Sequence, residues 1–342
     1  MHKKIKKRLI PVVVLLFLAG IIVAMTGGTM IFSKNTQNGP KTLIISQDAD
    51  FELLLDSLRH HKLLINENSF VKVAQWMKFK KPKSGKYKIE SGLSNRQLVR
   101  LLRGGQHVPV KFTFHNVRTI DLFVERVGDK FLFEPEELAS LLNNEFYFSK
   151  FGFNRQTLPA MFIPNTYEFY YDISADDFLK KMYQFYKKFW NEERKNLATK
   201  TGFTPVEIAT IASIVEEESS LQEEYPIIAG LYINRLKRGI LLQADPTVKY
   251  AHGNFGLKRI LYEHLTIDSP YNTYKYAGLP PGPIRITSPA AIDAVLNYQK
   301  HNYLYMCAKE DFSGRHNFAT THAEHERNAA KYHKALNKRN IR

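Results

Sequence analysis

Cysteine is nearly absent from this chain. Cys307 stands alone among 342 residues, which excludes an intrachain disulfide framework and any multi-cysteine metal site. The sequence therefore tolerates an oxidising compartment without exploiting it. Acidic residues are also in the minority, 33 against 49 Lys and Arg, leaving a formal charge of +16 and a pI near 9.6. That imbalance implies an anionic partner, whether nucleic acid, a membrane surface or an acidic polymer, and charge does not choose among them. No P-loop, dinucleotide fingerprint or G-x-S-x-G elbow occurs. His316, His322 and His325 come nearest to a metal cluster, but His322 and His325 sit three apart at a cap and helix start with no accompanying H-E-x-x-H. Neither a metal nor a cofactor is expected. What is present, 44% hydrophobic and 13% aromatic residues, suffices for one or two sizeable cores.

Only one long apolar run exists. Met1–Arg8 is a basic cluster, and Leu9–Phe32 follows without a charge. As a helix that run spans roughly 30 Å or more, enough to cross a bilayer. The positive-inside tendency keeps the N-terminus in the cytoplasm and exports everything after about Ser33. The run is longer than a signal-peptide core and has no small-x-small cleavage site, so an uncleaved single-pass anchor is expected. Chromosomal nucleic acid is thereby removed as the anionic partner.

Beyond the anchor the expected fold is α+β. Residues 1–8 form a cytoplasmic tail, 9–32 the anchor, 33–41 a polar linker and 42–107 a small α+β module. In that module Thr42–Ser46 and Tyr87–Ile89 read as strands, and Asp50–Leu64, Phe70–Phe79 and Asn95–Leu102 as helices. A second small α+β segment covers 108–154, and 155–342 form a mixed α+β domain. Within it, Phe178, Met182, Phe185, Tyr186 and Phe189 make a stripe on one helix that reads as core rather than as a sugar platform.

Thr204–Tyr250 organises this last domain. Thr204 as N-cap, Pro205 at the first helical position and Glu207 three residues after the cap open a helix. Ile208, Ile211, Ala212 and Val215 form its apolar stripe. At about 100° per residue, Glu217 falls opposite the stripe, Glu216 on its flank, and Glu218 rejoins the apolar side. Glu218 is thus the only one of the three expected to point into the protein, where burial would raise its pKa toward that of a general acid. A second amphipathic helix, Tyr225–Lys237, carries Ile228, Leu231, Tyr232 and Leu236 inward and stops near Gly239. Gln243, Asp245 and Thr247 follow on an extended stretch, where Asp245 either caps a short helix or belongs to a site. Tyr250, Tyr271, Asn272 and Tyr274 offer the hydrogen bonds and flat apolar surfaces that sugars require.

Several motifs resemble one family. Ile211–Ser219 (IASIVEEES) and Ala229–Tyr250 (AGLYINRLKRGILLQADPTVKY) look like the catalytic segment of the YceG/MltG-like endolytic lytic transglycosylases of bacterial peptidoglycan. Met161–Phe169 (MFIPNTYEF) is similar to the family's Phe-Pro-Asp-Thr-Tyr, with Asn165 in place of the aspartate. Tyr271–Pro283 (YNTYKYAGLPPGP) matches its Tyr-Asn-Thr-Tyr and Gly-Leu-Pro-Pro-Gly-Pro, and His316–Phe318 its His-x-Phe. His115 and Asn116 stand where the family carries Glu-Gly, which bears on the local turn. The resemblance implies Glu218 as the catalytic residue and a LysM-like module over 42–107. It implies Ser219, Gln243, Asp245, Thr247, Tyr250, Tyr271, Asn272 and Tyr274 as candidates for substrate binding. The implied partners are peptidoglycan glycan strands, the bilayer through residues 9–32, and cell-wall synthesis enzymes.

An ordinary glycosidase needs two carboxylates. Glu216 and Glu217 cannot partner Glu218, because residues one and two apart diverge on a helix. In a lytic transglycosylase, one glutamate protonates the leaving oxygen and then takes the proton of the 6-hydroxyl of N-acetylmuramic acid (MurNAc). That hydroxyl attacks its own anomeric carbon and leaves a 1,6-anhydro end. Two alternatives are a hydrolytic muramidase using Glu218 with Asp245, and a membrane-tethered wall-binding scaffold without activity.

Overall fold

The computed structural model describes residues 14–15, 17–21, 25–257 and 259–339. The basic tail lies outside them, as do residues 9–13, 16 and 22–24 of the expected anchor. Residues 25–32 are helical, with Met25 and Phe32 exposed. Among the described residues no helix is long and apolar enough to cross a membrane.

The fold is mixed α+β and mostly helical, and the chain divides into two compact units. The smaller holds the described residues up to 111 together with 130–133 and 168–174. Its strands β1 (Lys41–Ile45) and β2 (Gly85–Ile89) pair antiparallel, from Lys41 opposite Ile89 to Ile45 opposite Gly85. Between them run α1 (Phe51–His60) and α2 (Glu67–Trp76), and α3 (Asn95–Gly104) follows. Each helix starts where a short polar side chain takes up a free backbone N–H: Asp50, Asn66 and Ser94 accept from Leu53, Ser69 and Gln97. Alternation along β1 turns Leu43 and Ile45 to one face, where they join Leu54, Leu58, Phe70, Tyr87 and Leu98 in a core.

The larger unit takes residues 112–129, 134–167 and 175 onward. Strand β3 (Val110–Thr113) pairs with β4 (Thr166–Phe169), and residues 112–113 and 166–167 of the two strands belong to this unit. Helices α4 (Ile120–Val127), α5 (Pro135–Asn143), α6 (Glu145–Ser149), α7 (Ala175–Phe189) and α8 (Glu192–Thr201) follow in chain order. Phe112 meets Phe178 edge to face at 5.8 Å, as Phe114 meets Phe123 at 5.1 Å. Next come α9 (Pro205–Glu218), α10 (Tyr225–Lys237), α11 (Asp245–His252) and α12 (Pro289–Leu296). A hairpin of β5 (Tyr305–Ala308) and β6 (His316–Ala319) and then α13 (His322–Lys338) complete the unit.

Helix α9 is the axis of this unit. It carries more than the expected one-sided stripe: every residue from Ile208 to Val215 is buried, and α10 and α12 pack against it. Its two buried hydroxyls are satisfied within the helix, Thr210 by the Val206 carbonyl at 2.9 Å and Ser213 by that of Thr210 at 2.7 Å. The Ser213 oxygen also accepts from Ile284 N at 3.0 Å, tying the proline-rich loop to the helix.

Candidate active site

The N-terminus of α9 is fixed locally. Thr204 Oγ1 accepts from Glu207 N at 3.3 Å, and the Glu207 carboxylate accepts from Thr204 N at 2.8 Å. Its C-terminal turn is fixed by distant residues. Arg285 donates to Glu217 at 2.6 Å and lies 3.5 Å from Glu216. Arg118 forks onto Glu217 at 3.2 and 3.0 Å, and Ser288 N donates to Glu216 at 3.0 Å. Glu216 and Glu217 are therefore largely withdrawn from solvent, with 9% and 16% of their side chains exposed, where facial geometry alone had turned Glu217 outward. The reason is charge pairing: a guanidinium beside each carboxylate makes burial tolerable.

Glu218 differs from both. Among the described residues no arginine pairs with it, and its Oε1 accepts a 2.6 Å hydrogen bond from the Tyr232 hydroxyl. Burial pushes its carboxyl up to about 7 from an ordinary 4.5; the Tyr232 bond and Lys249 pull the other way, and the charges of Asp245 and Glu217 add to the rise. At neutral pH a substantial fraction is protonated, as a general acid requires. Burial likewise holds the Tyr232 phenol well above its usual range, so it stays a donor.

The carboxyl opens on a cleft of about 370 Å³. Tyr232 and Arg235 of α10 form one wall, Leu242–Asp245 with Tyr274 another, and β5, His316 and His325 the remainder. Arg235 is buried and donates to the carbonyls of Leu241 at 2.8 Å and Leu304 at 2.7 Å and to Gln243 Oε1 at 2.6 Å. Gln243 adopts φ 52°, a left-handed conformation that costs on the order of 1–2 kcal/mol outside glycine. Its bonds to Arg235 and to the Thr273 carbonyl at 3.1 Å offset that strain at the rim of the cleft. Asp245 begins α11 without making a capping bond. It is exposed, and its carboxylate accepts from the Tyr274 hydroxyl at 2.6 Å.

The profile of the YceG-like family matches residues 43–331, a span that includes this site. The chain belongs to the YceG-like family. It is similar to the endolytic murein transglycosylase of Bacillus subtilis, with 27% identity over 336 residues and 92% of each chain covered. It is also similar to the endolytic murein transglycosylase of Streptococcus pneumoniae, with 28% identity over 289 residues, 76% of this chain and 52% of that protein. A crystal structure of a yceG-like protein from Listeria monocytogenes shares the fold with a TM-score of 0.55 at 25% identity, covering 84% of this chain and 98% of that one.

His115 and Asn116 of this YceG-like chain, which stand in place of the usual Glu-Gly, lie just ahead of Arg118. Asn116 adopts φ 53°, and asparagine is among the few residues that enter this region at modest cost. Its side-chain oxygen also accepts from Arg285 at 3.1 Å.

The residues singled out in the sequence fall into three groups. Glu218, Gln243, Asp245 and Tyr274 share the cleft. Ser219, Thr247 and Asn272 are buried, and their polar atoms are engaged internally: Ser219 with Glu224 at 3.0 Å, Thr247 with Thr273 at 2.9 Å, and Asn272 with the Leu265 and Ile267 carbonyls at 2.9 Å. None of these three offers surface to a ligand in this arrangement. Tyr250 and Tyr271, with ring centroids 4.7 Å apart, instead line a separate cavity of about 360 Å³ with Arg118 and Arg155. Tyr232, Arg235, Glu224 and Arg285 were not singled out as site residues. Arg235 left one signal, a guanidinium following the apolar face of an amphipathic helix; Arg285 left none. Among the described residues no group of three or more His, Cys, Asp or Glu is arranged to hold a metal ion.

Proposed function

We propose that the chain is a membrane-anchored lytic transglycosylase of peptidoglycan. It would cleave the β-1,4 bond between MurNAc and N-acetylglucosamine without water, within strands, leaving 1,6-anhydro-MurNAc ends and limiting the length of nascent strands. The observation that carries this reading is a carboxyl pushed up to about 7, bonded to one tyrosine and facing a cleft of about 370 Å³. Glu218 protonates the glycosidic oxygen as the bond breaks, then takes the proton of the 6-hydroxyl as that oxygen closes on the anomeric carbon. Because nucleophile and electrophile belong to one sugar, tethering supplies roughly 7–11 kcal/mol that a free water would not. The names of the relatives in Bacillus subtilis and Streptococcus pneumoniae support the same reaction.

The basic run Met1–Arg8 and the apolar run Leu9–Phe32 support a single-pass anchor in the cytoplasmic membrane, with both units on its outer side. There the positive charge suits anionic wall polymers, the smaller unit would meet glycan as a LysM-like module, and cell-wall synthesis enzymes would be neighbours. A second reading has one observation in its favour: Asp245 shares the cleft and could serve a hydrolytic muramidase as its second carboxylate.

The test is Glu218→Gln on purified sacculi. The variant is expected to fold and to bind strands while producing no new ends, and wild-type turnover by it would refute the assignment. Mass spectrometry of wild-type products separates the two chemistries, since hydrolysis adds one water to the new end and ring closure does not.

A further inference from the structure

One pair of titratable residues, of which only His316 lines the cleft, has no part in the mechanism above. Glu224, buried at the start of α10, accepts from His316 Nδ1 at 2.8 Å, from His316 N at 2.8 Å and from Ser219 Oγ at 3.0 Å. Ser219 follows Glu218 directly, so the pair is anchored to the end of the acid's helix. Burial by itself would raise the Glu224 carboxyl, but the bonds from His316 and Ser219 prevail and hold it below the usual carboxylate range. An ionised carboxylate only accepts, so the ring nitrogen facing it carries the proton. Nε2 is then the ring atom left over. Among the described residues nothing hydrogen-bonds it, and His316 lines the same cleft as Glu218.

We propose that His316 is a substrate-contacting residue: its Nε2 hydrogen-bonds a hydroxyl of the bound sugar other than the attacking one, and so holds the ring with its anomeric carbon toward Glu218. No covalent bond is made to the imidazole, and the proton of the 6-hydroxyl goes to Glu218 alone. The inference rests on the transglycosylase reading.

The experiment compares His316→Asn with His316→Gln in the full-length chain in detergent, counting anhydro ends released from sacculi. Asparagine keeps an amide near the Nδ1 position that faces Glu224 and removes the atom facing the cleft; glutamine does the reverse. His316→Asn is expected to lose about 10²-fold in kcat/KM, and His316→Gln to retain more activity than His316→Asn. A role confined to holding β6 against α10 predicts the opposite order. That order, or two equally active or equally impaired variants, overturns the proposal. Should either variant fold poorly, the ¹⁵N shifts of the native His316 ring in a Glu218→Gln chain decide. Added glycan strands are expected to move Nε2, and an unmoved Nε2 overturns the inference. If wild type forms ends but no anhydro ends, the transglycosylase reading fails and takes this one with it. If wild type forms them and Glu218→Gln does not, the His316 variants test this inference alone.

Discussion

Replacing Glu218 by glutamine should make the folded larger unit more stable, and only at high enough pH. In the unfolded chain the carboxyl titrates near 4.5; in the folded protein, near 7. Between those values the folded state binds the extra proton, so stability falls as pH rises, and above about 7 the loss is complete. A difference of about 2.5 units corresponds to roughly 3 kcal/mol that wild type forfeits at pH 8 and retains at pH 4. Glutamine cannot ionise, and its amide oxygen can still accept the Tyr232 hydroxyl. The variant is therefore expected to match wild type at pH 4 and to exceed it by up to about 3 kcal/mol at pH 8. Urea unfolding followed by tryptophan fluorescence suits the measurement, because Trp190 is 2% exposed in the larger unit whereas Trp76, in the smaller, is 68% exposed and responds little. Equal stability differences at the two pH values would refute the argument, since an acid already ionised in the fold has no such penalty to remove.

Tyr232→Phe removes the hydrogen bond that holds the Glu218 carboxyl down, so the alkaline limb of kcat/KM should move to higher pH; a limb that stays put or moves down would count against it. Arg285→Met leaves Glu216 without a guanidinium, and Glu217 with Arg118 alone, in a site with little water and should cost about 3–5 kcal/mol by urea unfolding, whereas Lys195→Met, at an exposed pair on α8, should cost less than about 1 kcal/mol. Gly230→Ala sets two effects against each other. Alanine favours the helix by about 1 kcal/mol. Its methyl, however, would overlap the Gln299 carbonyl oxygen and crowd His301, and overpacking of that kind costs about 1–3 kcal/mol. A net destabilisation is expected, and a more stable variant would show that the 299–301 segment yields freely.

What the sequence made legible, and what it hid, divide by the range of the interaction. Helix ends were legible because capping is local: Thr204 with Glu207, Ser288 before Pro289 and Thr321 before Glu324 each place the oxygen within three residues of the N–H it accepts. Membership of the YceG-like family was legible because several short motifs recur in order. The fates of Thr247 and Asn272 were not, since whether a hydroxyl or amide faces a sugar or its own fold depends on Thr273, Leu265 and Ile267. The three glutamates sharpen the point. Helical geometry turned Glu218 inward, but it also turned Glu217 outward, because it contained no arginine. Arg118 and Arg285, 99 and 68 residues away, draw Glu217 in and keep its charge occupied. Glu218, with a neutral tyrosine for its partner, is the one whose charge the fold penalises. Which of three adjacent and chemically identical side chains is left without a guanidinium is thus decided by where distant cations are placed, so the segment alone could nominate Glu218 but could not supply the reason its neighbours differ.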